Sequence, residues 1–206
     1  MTPIIIWSTA VLLYIIFWLW YIGFQRPLTP REVDEYIQAY EQFENTDKEE
    51  IKQFRKFLEE DDGKDFVMLN CIQFHKIAKP VEGLAEGISG RKALMAYFKP
   101  FAKLIIKRAC HPLVQGRAAM HAVDQWGIEN AKEWSAGALM RYRSRRDFAQ
   151  VIINPLFHEK HHYKVAALKK SFAYPLADWS LLGGGPRLTV LLVLAFLAAF
   201  VHLTLG

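Results

Sequence analysis

The chain has 206 residues, of which 52% are apolar, 14% aromatic and 23% charged, with a formal net charge of +5. That length predicts one domain of ordinary size with appendages, and the composition excludes the disordered, collagen-like and low-complexity classes. The average hides a partition: residues 1–24 and 188–206 contain no Asp, Glu, Lys or Arg, so all 47 charges fall between two apolar ends.

Pro3 to Phe24 is an uncharged run of 22 residues, about 33 Å long as a helix and enough for a hydrocarbon core of about 30 Å. Leu188 to Leu205 has 18 residues, about 27 Å, close to the minimum for a span. Both are expected to cross a membrane. A cleaved signal peptide needs a basic start and a small-residue cleavage site. This segment instead opens Met-Thr-Pro and exits through Trp18, Trp20, Tyr21 and Gly23, an interfacial aromatic belt that favours an uncleaved anchor. Arg26 and Arg31 follow the first run, Lys169, Lys170 and Arg187 precede the second, and the outer termini hold no Lys or Arg. Both termini are therefore expected outside and the central domain in the cytoplasm. The two cysteines, Cys71 and Cys110, agree with a reducing compartment and read as buried thiols, with no CxxC or zinc spacing.

Thr29-Pro30-Arg31-Glu32 is a capping box with proline at the first helical position, followed by Val33, Tyr36, Ile37 and Tyr40 at helical spacing. This predicts a helix over about 30–44. Asn45-Thr46-Asp47 caps a second over about 47–60, with Ile51, Phe54, Phe57 and Leu58 as its apolar stripe. Residues 25–65 hold 7 basic and 13 acidic groups, whereas residues 66–187 hold 19 basic and 8 acidic ones. An acidic helical hairpin thus precedes a basic domain, and opposite charge favours one lying on the other.

Past Asp61-Asp62-Gly63 the pattern changes period. Phe66 to Phe74 reads as a strand, Arg91 to Cys110 as a helix kinked or split by Pro100, and Leu113 to Val123 and Ala136 to Arg143 as strands around a polar hairpin loop, Asp124 to Glu133. Arg145 to Leu168 is helical with an interruption at Pro155, and Ser171 to Tyr174 is a short last strand. The order is βαββαβ, the split arrangement of ferredoxin-like folds, within an α+β class. Gly183-Gly184-Gly185-Pro186 supplies a flexible joint to the second span.

Several motifs carry a resemblance. Met68-Leu69-Asn70 stands in the first strand, Ser89-Gly90-Arg91 precedes a helix containing Tyr97, and Arg141-Tyr142-Arg143-Ser144-Arg145-Arg146-Asp147-Phe148 leads into the next; Asn154-Pro155 and Ala166-Ala167-Leu168 follow. In this order they resemble an uncharacterised family, a domain of unknown function, in the dimeric α/β-barrel superfamily, over residues of about 65–176. The resemblance implies a ferredoxin-like unit whose sheet packs against a second copy, and it brings no established reaction. Where that family usually shows Trp-Asp, this chain has Trp134-Ser135, so any role of that acid is absent here.

Three sets of residues are candidates for chemistry. Asn70, His75, His121, Arg141 and Tyr142 are polar groups at strand positions, able to converge in an apolar cavity between sheet and helices, the usual form of a small-molecule site. His158 and His162 stand at i and i+4 with His161 beside them, a spacing able to hold zinc; with no HExxH and no remote ligand, a solvated helix end is the plainer reading. Lys99, Lys103 and Lys107, with Lys92 nearby, form a basic stripe suited to solvent, anionic headgroups or an acidic partner. Nucleic-acid signatures are absent, and no cofactor is favoured. The sequence therefore points to a membrane-anchored accessory or scaffold subunit whose cytoplasmic domain mediates self-association or docking within a membrane complex. The alternative, by analogy with the superfamily, is a membrane-bound, monooxygenase-like enzyme acting on a small hydrophobic substrate.

Overall fold

The computed structural model describes residues 2–43, 47–129, 132–181 and 184–205. They form two compact units, Gln25–Ala177 and the terminal segments Met1–Phe24 with Asp178–Gly206. The chain opens with α1 (Pro3–Ile22). In the central unit, α2 (Pro30–Glu41) starts at the predicted capping box, with the Thr29 hydroxyl and the Glu32 carboxylate bonded reciprocally to each other's backbone amides. The second hairpin helix, α3 (Lys48–Glu59), is capped by Asp47; Asn45 and Thr46, also expected in that cap, lie outside the described residues. Val33, Ile37 and Leu58 close the hairpin with Tyr36, Ile51, Phe54 and Phe57 around them. Gly63 then turns with φ +77°, and a Cβ there would fall on the Gln25 carbonyl, so only glycine lets the end of the hairpin meet its beginning.

Strand β1 (Phe66–Phe74) has the predicted bounds. After a loop, Ser89 caps α4 (Gly90–Phe98); Pro100 converts the next residues, Lys99–Phe101, into a 3-10 turn, and α5 (Ala102–Lys107) resumes. β2 (His111–Arg117) and β3 (Ala136–Tyr142) follow. The expected strand Leu113–Val123 stops at Arg117. Its partner begins only at Ala136, opposite Arg117, and the Ala-Ala-Met run beyond has little strand preference. The expected helix 145–168 is broken twice, giving α6 (Arg145–Ile152), α7 (Pro155–Glu159) and α8 (His161–Ala167). Pro155 makes the first break, and Lys160, with φ −110° and ψ 16°, the second. The last strand, β4 (Leu168–Leu176), is longer than the expected Ser171–Tyr174 because it pairs along nearly the whole of β1.

The sheet is antiparallel throughout, in the order β2-β3-β1-β4. Tyr97, Ile105, Cys110, Met140, Val151 and Tyr163 form the core between one face and the helices, with Met68 and Tyr142 packed against it. The hairpin packs on α6, sharing a cluster with Ala149, and its Phe57 ring meets Phe66 of β1 edge-on with centroids 5.2 Å apart. Two arginines of α6 fasten it. Arg145 donates to the Phe57 carbonyl and stacks 4.6 Å from that ring, while Arg146 donates to the Glu32 carboxylate and to the carbonyls of Arg26 and Pro27. Asp61 accepts from the amides of Leu28 and Gly63 at 2.8 and 3.1 Å and closes the base of the hairpin.

In the terminal unit, α1 pairs with α9 (Gly185–Leu205), and both are long and apolar enough to cross a membrane. Trp7 Nε1 donates to His202 Nδ1 at 3.2 Å, the Arg187 guanidinium lies 5.9 Å from the Trp18 and Tyr21 rings, and Ala198 is buried. The expected Gly/Pro joint is shorter than foreseen. Helix α9 already includes Gly185 and Pro186, proline being well tolerated in a first turn; Gly183 lies outside the described residues.

The Thr29 amide, partly opposed by desolvation and reinforced by Arg146 and the Thr29 hydroxyl, lowers the Glu32 carboxyl from 4.5 to about 2. Because the folded value lies below the unfolded one, this contribution is complete above about pH 4.5 and is lost as pH falls towards 2. The solubilised protein is therefore expected to lose thermal stability across that window, with a smaller loss in Glu32→Gln. Arg146→Ala is expected to cost about 1–3 kcal/mol at neutral pH, and an unchanged melting temperature would contradict the clamp.

Candidate functional site

The five strand-borne polar candidates do not converge. Asn70 and Tyr142 lie on the helix-facing side of the sheet, in alternation with Met68 and Met140. Asn70 Nδ2 donates to the Met68 carbonyl at 2.9 Å. Tyr142 stacks on Phe66 with centroids 5.2 Å apart and meets Phe148 edge-on, and burial pushes its hydroxyl pKa up. Arg141 alternates to the other side and is fully buried. Its guanidinium binds the Asp65 carboxylate through Nε and Nη2 at 2.9 and 2.8 Å and the Ala109 carbonyl through Nη1 at 2.9 Å. This ties the start of β1 to the end of α5. His121 sits in the exposed segment after β2, outside any strand. His75 follows β1, and its buried Nε2 has no hydrogen-bond partner among the described residues.

The metal spacing is also dismantled. The break at Lys160 puts His158 on α7 and His162 on α8, so their i, i+4 relation is not that of one continuous helix. His158 bonds the Ile152 carbonyl at 2.6 Å and stacks 3.5 Å from the Phe43 ring, and burial lowers its pKa. No group of three or more His, Cys, Asp or Glu suited to a metal occurs among the described residues. The cysteines differ from expectation in one respect. Cys110 is buried, its thiol pushed up to about 11 by desolvation, whereas Cys71 is only half-buried.

Cys71 belongs to the second face of the sheet. There Leu69 stands opposite Leu139 and Tyr174, Cys71 opposite Phe172, and Val114 opposite Leu139. Val114, Phe172 and Tyr174 remain 51%, 44% and 46% exposed. Trp134 extends the patch, 5.2 Å from Phe172 and under the Lys170 ammonium. The hairpin packs on α6 through Ala149, and at the end of this second face where β1 starts Val67 and Arg141 are buried. Among the described residues this face thus carries an apolar patch that stays partly open to solvent.

The sheet also has distinct ends. Leu176 pairs with Val67 at the start of β1, and Gln25 lies against Gly63 three residues before Phe66. Both chain exits of the central unit are thus at one end, the tethered end. The β2–β3 loop, the end of β1 and the start of β4 define the far end, about 17 Å away over the five residues from Val67 to Ile72. The four lysines run between these ends instead of forming one helical stripe. Lys92 lies near His75, whose carbonyl bonds the Gly90 amide, while Lys103 and Lys107 approach the tethered end beside Ala109. Sequence reasoning missed the Arg145 and Arg146 clamp, although the paired arginines before an apolar helix were its signal.

Arg141→Ala is expected to lower stability by about 3–5 kcal/mol, because it strands the largely buried Asp65 carboxylate. Asp65→Ala combined with Arg141→Met is expected to recover much of that loss, and no recovery would point to another role for the arginine.

No family model matches the sequence, and no curated protein matches it. Among solved structures the chain is similar to RPA0582 of Rhodopseudomonas palustris, described as a protein of unknown function, at a TM-score of 0.52 and 20% identity, covering 66% of this chain and 97% of that one. Methylated RPA0582 gives a TM-score of 0.53 and 22% identity, covering 66% of this chain and 94% of that one. At these identities the likeness bears on the fold alone, which in this chain is mixed α+β with a four-stranded antiparallel sheet.

Proposed function

We propose that the protein is a membrane-anchored accessory or scaffold subunit, with α1 and α9 crossing the bilayer, both termini outside and the central unit in the cytoplasm. In this reading the central unit is a ferredoxin-like domain of the dimeric α/β-barrel kind, and its open sheet face pairs with a second copy. The observation that carries it is the apolar face on which Val114, Phe172 and Tyr174 are exposed beside half-buried Leu69 and Leu139, while the hairpin packs on α6. The strand order β2-β3-β1-β4 supports the fold assignment. Flanking Lys and Arg support the orientation. The enzyme alternative has less to support it, since Arg141 and Tyr142 fall on opposite faces of the sheet and His121 lies outside its strands.

Tethering at one end also refines the basic stripe. Lys103 and Lys107 flank Ile106, which is 59% exposed, a combination suited to anionic headgroups with an apolar group dipping between them. In nanodiscs, nitroxide-headgroup lipids are expected to quench a fluorophore placed at position 106 more than one at position 86. Equal quenching would remove the stripe from the membrane.

Orientation is tested by reporter fusions at residue 2, in the Ala85 to Ser89 loop and at Leu205. A cytoplasmic signal from the loop with external signals from both termini is expected, and an external loop reverses the topology. Gentle solubilisation and proteomics of what co-purifies is expected to return further copies or partner subunits. A lone protein carrying a stoichiometric cofactor would instead favour the enzyme.

A further inference from the structure

The loop between β2 and β3 spans residues 118–135, far longer than the two to five residues usual in hairpins. It is held as a continuation of the hairpin by Ala118 N donating to Ser135 O at 2.9 Å and Ala122 N to Lys132 O at 3.0 Å. Its tip therefore projects from the far end of the sheet. Met120, Val123, Trp126 and Ile128 are 70%, 90%, 92% and 66% exposed, so four large apolar side chains within nine residues make little contact with their own domain. A concentration of this kind signals a binding element. Trp134 at the loop base is different, being packed on Phe172.

Two features determine what the loop fits. It projects from the end of the central unit opposite its two chain exits. It is also acidic, with Asp124, Glu129 and Glu133 against Lys132, and among the described residues Asp124 and Glu129 form no ion pair. An acidic loop is repelled by anionic headgroups. The surface around the loop's own base has the complementary character. At the far end Lys76, Lys79, Lys92, Arg117 and Lys169 are exposed, with Ile77 between the first two at 59% exposure. Among the described residues Glu82, Glu86 and, at the loop base, Glu133 oppose them there.

We propose that this loop is an arm that docks on the far-end rim of a second copy, Trp126 meeting the surface around Ile77 while Asp124 and Glu129 meet Lys76 and Lys79. The proposal rests on the pairing of copies through the open sheet face. Two chains held in one membrane pair about a two-fold axis along its normal, which brings both far ends to the same height. Each arm then reaches the other copy's rim, and the exchange is reciprocal. Charge sets the register of the contact and the apolar side chains supply burial.

The test is photocrosslinking of the full-length chain in membranes, with benzoylphenylalanine at position 126 or, separately, at position 174, in mixtures of isotopically labelled and unlabelled copies. Position 126 is expected to yield adducts between copies that map to the segment around residues 75–92. Asp124→Lys with Glu129→Lys should reduce their yield severalfold, and adding Lys76→Glu with Lys79→Glu should restore it. Adducts from 126 to lipid, to another protein, or within one copy overturn the arm, as does failure of the charge reversal to restore the yield. If position 174 crosslinks copies and 126 does not, the arm falls while sheet pairing stands; if neither does, pairing itself falls.

Discussion

A four-stranded antiparallel sheet has two faces, and among the described residues the main core of the central unit lies on one of them. The cluster of Tyr97, Ile105, Cys110, Val151 and Tyr163 packs on the side carrying Met68, Met140 and Tyr142. The alternation of a strand then requires Leu69, Leu139, Phe172 and Tyr174 to emerge on the other side. A one-residue shift of register would exchange the two sets and put Asn70 among the exposed groups. The buried core holds the register, and the register produces the open face.

Electrostatics works locally in this structure. The opposite charges of hairpin and domain suggest a broad attraction, yet the contact resolves into two arginines placed side by side at the start of α6. Arg146 serves Glu32 and two carbonyls, and Arg145 combines a carbonyl, a ring face and the neighbouring Asp61. Such planar, multidentate donors suit arginine more than lysine. Arg141 does the same inside the fold, where Asp65 and the Ala109 carbonyl satisfy a fully buried guanidinium. Arg141, charged and central, here fastens the start of β1 to the end of α5.

Much of the architecture was legible in the sequence where the local signal and the tertiary demand agree. The Thr29 capping box, the strand at Phe66–Phe74 and the interruptions at Pro100 and Pro155 are each dictated by a residue's own backbone preference. Errors arose where partners decide. β2 ends early because β3 does not extend alongside it, β4 begins early because β1 has an unpaired edge, and Lys160 breaks a helix without any sequence signal. Strand parity, which reading residue types alone does not apply, likewise places Arg141 and Tyr142 on opposite faces of the sheet.

The account stands on the open face being closed by a second copy. Native mass spectrometry of the full-length protein released from mild detergent measures this directly. The account predicts a dimer for the natural sequence and a folded monomer for Leu139→Glu, whose carboxylate would sit in the middle of the paired face. A natural protein that is monomeric under the mildest release conditions, or a Leu139→Glu variant that remains dimeric, would contradict it.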